Sequence, residues 1–352
     1  MSIERHRRKP NQGVTIRDVA ARAGVSPMTV SRVVNGETHV KDETRQLVDA
    51  AIRELNYSPS PAARSLAGAA PFRVGLLYEN PSVGYLSEFL LGALDESSRT
   101  GAQVMVERCG DNEEAGVALG KLLRAGIDGL ILPPPLCESQ ALLTEIARAG
   151  ATAVAVAPGH STDLMATIRI DNEAAAYELT EYLLGLGHRR FGFITGHPNQ
   201  TVSAQRLRGF VAALDAAGIG ASARHIEQGY FTYRSGLDAA ERILAADPMP
   251  TAIFAANDDM AAATASLALR LGFDIPADLS IAGFDDTPVA GSIWPTLTTI
   301  HQPVAAMARA AVVLALEEIR RTREGGGRPR HLLHPYTLIV RESTGPAPTA
   351  GA

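Results

Sequence analysis

Three kinds of side chain in this sequence have the type and spacing to do chemistry. Adjacent carboxylates stand at Asp258-Asp259 and Asp285-Asp286, the raw material of an acid/base pair or a metal site. Neighbouring residues usually point apart, and neither a nucleophile nor a histidine set accompanies them, so neither catalysis nor a bound metal is expected. Asp258 is expected to cap the helix that follows it, and one of Asp285 and Asp286 to be structural. The thiols, Cys109 and Cys137, are far apart and lack metal-ligand spacing, which predicts two buried cysteines rather than a zinc site or a disulfide. His188, in Gly187-His188-Arg189-Arg190, reads as a turn residue ahead of a strand. The third kind is a dense polar run near the N-terminus: Thr15, Ser26, Thr29, Ser31, Arg32 and Asn35. Short hydroxyls and amides suit phosphate oxygens.

The elements that must position that run are short helices. Ile16, Val19, Ala20 and Ala23 recur at helical spacing, with Thr15 placed to cap the helix and Gly24 to end it. Ser26 caps a second helix with Pro27 at its first position, Val30, Val33 and Val34 face inward, and Asn35-Gly36 stops it. A third, from about 42 to 56, is predicted to bury Leu47, Val48, Ala51, Ile52 and Leu55. Two such helices joined by a four-residue turn form a helix-turn-helix. There the first residues of the second helix reach base edges, which makes Pro27, Met28 and Arg32 the candidate readers. An arginine forked onto guanine O6 and N7 contributes about 1–3 kcal/mol of discrimination. Met28 offers apolar contact, as with a thymine methyl.

Between 57 and 68, Ser60 can cap a one-to-two-turn helix with Pro61 at its start and Gly68 at its end. That helix is marginal alone and reads as a hinge that orders when packed. From Phe72 onward short apolar strands alternate with alanine-rich helical stretches, the pattern of parallel sheets built from βαβ units. About ten strands over more than two hundred residues predict two doubly wound subdomains, with a ligand cleft at the carboxyl ends of their strands.

The run from Val14 to Gly36 closely resembles, without gaps, the DNA-binding head of the lactose/galactose repressor (LacI) family. The resemblance continues through Thr44-Arg45, Glu54-Leu55-Asn56-Tyr57 and the hinge, and resumes at Gly187-His188, Ala204 to Phe210, Ala256 to Met260, Gly283 to Asp286 and Leu297 to Ile300. It implies a three-helix helix-turn-helix head joined to an α/β sensor with the fold of periplasmic sugar-binding proteins. It also implies hinge helices paired in the minor groove, with Leu66 as the wedge between base steps and Ala63 at the close helix contact. Ser60 departs from a frequent asparagine. Arg206, Asn257 and Asp285 match the family's polar effector anchors, and Phe231 sits where an aromatic wall is common. Tyr85 is a further effector candidate, with Tyr78 and Trp294 as weaker ones. The chemistry of that set is polyol recognition. Asn80 to Tyr85 is a few residues longer than the commonest family form, at a cleft mouth where it could admit a disaccharide or glycoside.

The expected organisation is an arm over 1–13, the head over 14–58, a hinge over 59–71, a sensor over 72–345 and a tail over 346–352. Within the sensor, one subdomain takes 72–171 plus 302–328 and the other 172–301 plus 329–345. Residues 1–70 hold 11 Lys+Arg against 7 Asp+Glu, so a basic head rides on an acidic body within a net charge of -5. Neither a signal sequence nor a membrane span is read, and a cytoplasmic, nucleoid-associated protein is expected. The expected partners are pseudopalindromic operator DNA, a carbohydrate effector acting as inducer and a second copy of the chain, with no cofactor, no metal and no membrane. The final residues lack leucine heptads, which favours a dimer over a tetramer. The rivals are a regulator of the same build with a purine or other co-repressor, and a solute-binding protein.

Overall fold

Short amphipathic stretches become three helices in the computed structural model, which describes residues 15–34, 40–55, 71–109, 112–161 and 163–348. They are α1 (Ile16–Ala23), α2 (Pro27–Val34) and α3 (Asp42–Glu54), within a first unit that ends at Pro71. The Asp18 carboxylate accepts from the Thr15 N–H at 2.8 Å and from its hydroxyl at 2.7 Å, so the start of α1 is held by its own first turn. Gly24 ends α1 in the left-handed region at φ 68°. The Ser26 hydroxyl accepts from the Thr29 N–H at 3.1 Å, the N-cap of α2.

The core of this unit is small: Val19, Ala20, Val30, Val33, Val48 and Ala51, flanked by Ile16, Ile52 and Leu55. Leu47 is not part of it and stands 58% exposed. The inward stripe of α3 is Val48, Ala51 and Ile52, with Leu55 just past its end, and one step back along a helix turns Leu47 about 100° away from it. The arm, Asn35, the hinge with Ser60, Ala63 and Leu66, and the tail from 349 lie outside the described residues.

The second unit, Phe72–Ala352, is built on two parallel sheets. One is six-stranded: β1 (Arg73–Tyr78), β2 (Gln103–Arg108), β3 (Gly129–Leu132), β4 (Thr152–Val156), β5 (Ala166–Arg169) and β11 (His331–Leu333), in the order β11-β5-β4-β3-β1-β2. It carries α4 (Val83–Thr100), α5 (Asn112–Arg124), α6 (Gln140–Ala149) and the long α12 (Val304–Arg323). The other is four-stranded: β6 (Phe191–Thr195), β7 (Arg224–Gln228), β8 (Ala252–Ala255) and β9 (Ser280–Ala282), in the order β7-β6-β8-β9. Its helices are α7 (Asn172–Gly185), α8 (Thr201–Ala216), α9 (Tyr233–Leu244), α10 (Asp258–Arg270) and α11 (Pro288–Ser292). Strands β3 and β8 are buried along their whole length, as central parallel strands covered on both faces must be. Phe193, Phe210, Phe254 and Phe284 interlock at the centre of the second lobe.

The chain passes between the lobes after β5, after β10 (Thr299–His301) and again between β11 and β12 (Thr337–Ile339), with β10 and β12 paired antiparallel. Because His331 to Leu333 pair with Thr167 to Arg169, residues 331–333 sit with the first lobe, not with the second where a boundary at 329 puts them. The polar strand β7 and the three-residue strand β12 escape a reading based on apolar runs. His188 is fully buried rather than a simple turn residue. Its ring faces the Thr251 hydroxyl at 2.9 Å, the Ser280 hydroxyl at 3.1 Å and the Gly345 carbonyl at 3.1 Å. It ties the chain end to the sheet, and burial pushes its pKa down.

Candidate functional site

The loops that follow β1, β3, β4, β6, β7, β8 and β9 converge between the two lobes of the second unit on a cavity of about 40 Å³, room for about three water molecules. Arg206 on α8, Phe231 after β7, Asn257 at the head of α10, Asp285 after β9 and Tyr85 on α4 all line it. Five residues separated by up to 200 positions in the chain thus share one space. The Asn80–Ser82 loop lines the same cavity, and Tyr78 lines an adjoining open groove of about 1150 Å³. Trp294 lines neither; it is 71% exposed.

Arg206 is held on every side. Its Nε donates to Asn172 Oδ1 at 2.9 Å, its Nη1 donates to the Ala256 carbonyl at 2.6 Å, and the guanidinium lies over the Phe284 ring at 3.7 Å. Nη1 stands 3.4 Å from Asp285 Oδ1. That oxygen also accepts from Gln302 Nε2 at 2.6 Å. Burial pushes Asp285 up to about 6 against the pull of Arg206 and Gln302, and the same burial lowers Arg206 against the pull of Asp285. For both partners desolvation outweighs their pairing, the balance expected when two charges are taken out of water together.

Asn257, not Asp258, caps α10: its Oδ1 accepts from the Met260 N–H at 3.0 Å and its Nδ2 donates to the Phe231 carbonyl at 3.1 Å. Its oxygen serves the cap, which leaves the side chain with a remaining N–H to offer. Asp258 instead takes the first helical position. It accepts from the Thr287 N–H at 2.7 Å and from the Thr299 hydroxyl at 2.6 Å, which binds the loop after β9 to β10. Asp286 turns away from the cavity to Arg341, at 2.5 Å, and His301, at 3.0 Å. It is the structural member of its pair, since adjacent residues face apart.

Two polar atoms of the cavity wall are buried without a hydrogen-bond partner among the described residues: Tyr85 Oη and Gln302 Oε1. An orphaned buried polar group costs about 1–3 kcal/mol, a cost that a bound hydroxyl or amide would offset. The backbone is strained at the same place. Of the described non-glycine residues with positive φ, Ala157 (52°), Phe231 (61°) and Asp285 (110°) line the cavity, as strained residues tend to at ligand sites. Phe231 is seated against Gly196, where any Cβ would collide with its ring. Gln302, Asn172 and Phe284 escaped the sequence reading: they recognise no ligand pattern and act only through partners far along the chain.

In the first unit Pro27, Met28 and Arg32 are exposed along α2, Met28 by 65%. Ser26, Thr29 and Ser31 flank them, while the Thr15 hydroxyl already donates to Asp18.

A helix-turn-helix unit carried on the same chain as a two-lobed α/β unit, with polar side chains converging on a cavity between its lobes, defines a ligand-controlled DNA-binding regulator. Residues 15–60 match the model of bacterial regulatory proteins of the lacI family, and residues 180–344 match that of the periplasmic binding protein-like domain. The ribose operon repressor of Haemophilus influenzae is 32% identical over 94% of this chain and 98% of its own. The HTH-type transcriptional repressor PurR of Pectobacterium carotovorum is 36% identical over 95% and 98%. Among solved structures, the regulator CelR in complex with cellobiose shares 30% identity at a TM-score of 0.71, over 94% of this chain and 99% of that one. The lac repressor dimer bound to operator and an anti-inducer shares 29% at 0.69, over 95% and 100%.

The chain belongs to the lacI family of bacterial regulatory proteins. It is a DNA-binding transcriptional repressor under effector control. Its relatives are repressors rather than enzymes, and no described helix is long and apolar enough to cross a membrane.

Proposed function

We propose that this repressor is released from its operator by a sugar or glycoside bound between the lobes of its second unit. The observation that carries the reading is the convergence of donors and acceptors on one cavity: Arg206 and Asn257 donate, Asp285 and Gln302 Oε1 accept, and Tyr85 Oη can do either. A ring of adjacent hydroxyls needs such a mixture, with Phe231 as the apolar wall. The cavity is smaller than a sugar ring, so the lobes part to admit one and close on it.

On the DNA side, Pro27, Met28 and Arg32 read bases, and Thr15, Ser26, Thr29, Ser31 and Asn35 fix register on phosphates. Ala63 and Leu66 of a hinge over 59–71 enter the minor groove. The operator is pseudopalindromic because the protein is a homodimer, as the lac repressor of similar fold is in its operator complex. The chain has no enzymatic role and works in the cytoplasm, on the nucleoid.

A second reading has a specific support. Relatives of comparable identity bear the names of a ribose operon repressor and of PurR, so a purine acting as co-repressor would use the same cleft with the opposite sign. The test is fluorescence anisotropy on duplexes selected from a random pool, at two salt concentrations, with sugars and purines added. Release of a pseudopalindromic duplex by a sugar is the expected result. Tightening by a purine establishes the second reading, and failure to select any specific duplex overturns both.

A further inference from the structure

Helix α8, which carries Arg206, begins without a side-chain cap of its own: Gln200 at its N-cap makes no such bond. The missing acceptor comes from the other lobe. Glu138 ends the 3-10 turn after β3, and its Oε2 accepts from the Thr201 N–H, the first of α8, at 2.7 Å. Its Oε1 accepts from the Gly159 N–H, in the loop after β4 of its own lobe, also at 2.7 Å. Gly159 receives the second lobe in turn, because Gln205 Nε2 donates to its carbonyl and Thr201 packs where a Cβ at 159 would sit. One carboxylate thus joins two lobes through the end of a helix whose positive pole favours it, with charge-assisted bonds.

We infer that Glu138 is the clasp of the cleft: it caps α8 only when the lobes are together, and so couples closure to the helix that holds Arg206. It lines the adjoining groove but touches neither Arg206 nor the small cavity, so toward Arg206 it acts as a positioning residue. Opening the cleft removes the cap from α8 and leaves the Thr201 N–H to water. Gln205 to Gly159 is a second tie between the lobes, so loss of Glu138 loosens closure without abolishing it. The effect on effector affinity rests on the reading of the cleft given above; the effect on α8 does not.

The test uses the full chain as wild type, Glu138→Gln, which keeps one acceptor oxygen, and Glu138→Ala, which keeps none. Hydrogen exchange is followed at the Thr201 amide, with the Met260 amide, capped by Asn257, as internal reference. Calorimetry measures binding of D-ribose, D-glucose, cellobiose and hypoxanthine. Exchange at Thr201 is expected to rise about tenfold in Glu138→Ala, the size of a lost cap, and less in Glu138→Gln, with Met260 unchanged. Affinity for whichever probe binds is expected to fall in the same order. Unchanged exchange at Thr201 overturns the clasp whatever binds. Faster exchange with undiminished affinity shows a cap without coupling and overturns it too. If no probe binds wild type, the effector reading fails, and exchange at Thr201 alone decides the clasp.

Discussion

The helix-turn-helix unit and the effector cleft are assembled on opposite plans. The first reads and folds locally: its candidate readers lie within six residues on one helix, over a core of six buried side chains. The second gathers Tyr85, Arg206, Phe231, Asn257, Asp285 and Gln302 from six elements or loops spread over two lobes. In the head the candidate readers Pro27, Met28 and Arg32 are exposed on the surface; in the cleft each side chain is buried and its partners are already in place, save two orphaned oxygens. The difference separates the ways each can fail. Truncation of a proposed reader in the head is expected to remove a contact with DNA, whereas truncation of Arg206 or Asp285 leaves a buried charge behind.

The largest effect is therefore expected from Arg206→Ala. It strands Asp285 and Asn172, so thermal melts should show a loss of about 3–5 kcal/mol in stability, and calorimetry should find effector affinity reduced by about tenfold to a hundredfold, the worth of a charge-assisted bond. Operator affinity without effector should change little; a comparable loss of DNA binding would erase the contrast between the two regions. Arg32→Ala should do the converse. Anisotropy should show a loss of about 1–3 kcal/mol for the specific duplex, with effector affinity kept. Loss of the same size on every duplex would make Arg32 a phosphate contact and shift base reading to its neighbours.

A pH titration sharpens the comparison. Asp285 is pushed up to about 6 by burial, and a hydroxylic effector uses its ionised form, so binding holds the carboxylate charged and lowers its pKa. Affinity should be constant above about pH 7 and fall as pH drops through about 6, by up to tenfold per unit. Asp285→Asn should abolish that slope. His188 acts on stability instead. Its folded pKa is depressed below the ordinary value of about 6.5, so the folded state binds fewer protons. Its contribution is present above that pH and lost as pH falls below it, and thermal melts of His188→Gln should lose that slope. The smallest effect belongs to Tyr85→Phe, which removes an orphaned hydroxyl. Effector affinity should drop by about 1 kcal/mol; unchanged affinity would free Tyr85 of any effector contact and leave it as core.

How much of this was legible varied with distance along the chain. Thr15 to Gly24 and Ser26 to Val34 could be read as capped helices because caps, periodicity and stops act within one or two turns. The alternation of apolar strands with helices foretold parallel sheets in two lobes for the same reason. Even there, one-residue questions slipped. Leu47 and Val48 differ only in the face they present, and Asn257 and Asp258 compete for one cap, which backbone geometry at the turn after β8 awards to Asn257.

By itself, then, the sequence determined the kinds of element and most of their limits, the polar and apolar face of each, and the family to which the chain belongs. Only the tertiary structure decided that Gln302 shares Asp285, that Asp286 is spent on Arg341 and His301, and that Glu138 caps a helix of the other lobe. The physical reason is that these are bonds between groups 15 to 63 residues apart. Their geometry depends on how two sheets twist and meet, and nothing in the spacing of residues along a strand or helix carries that information.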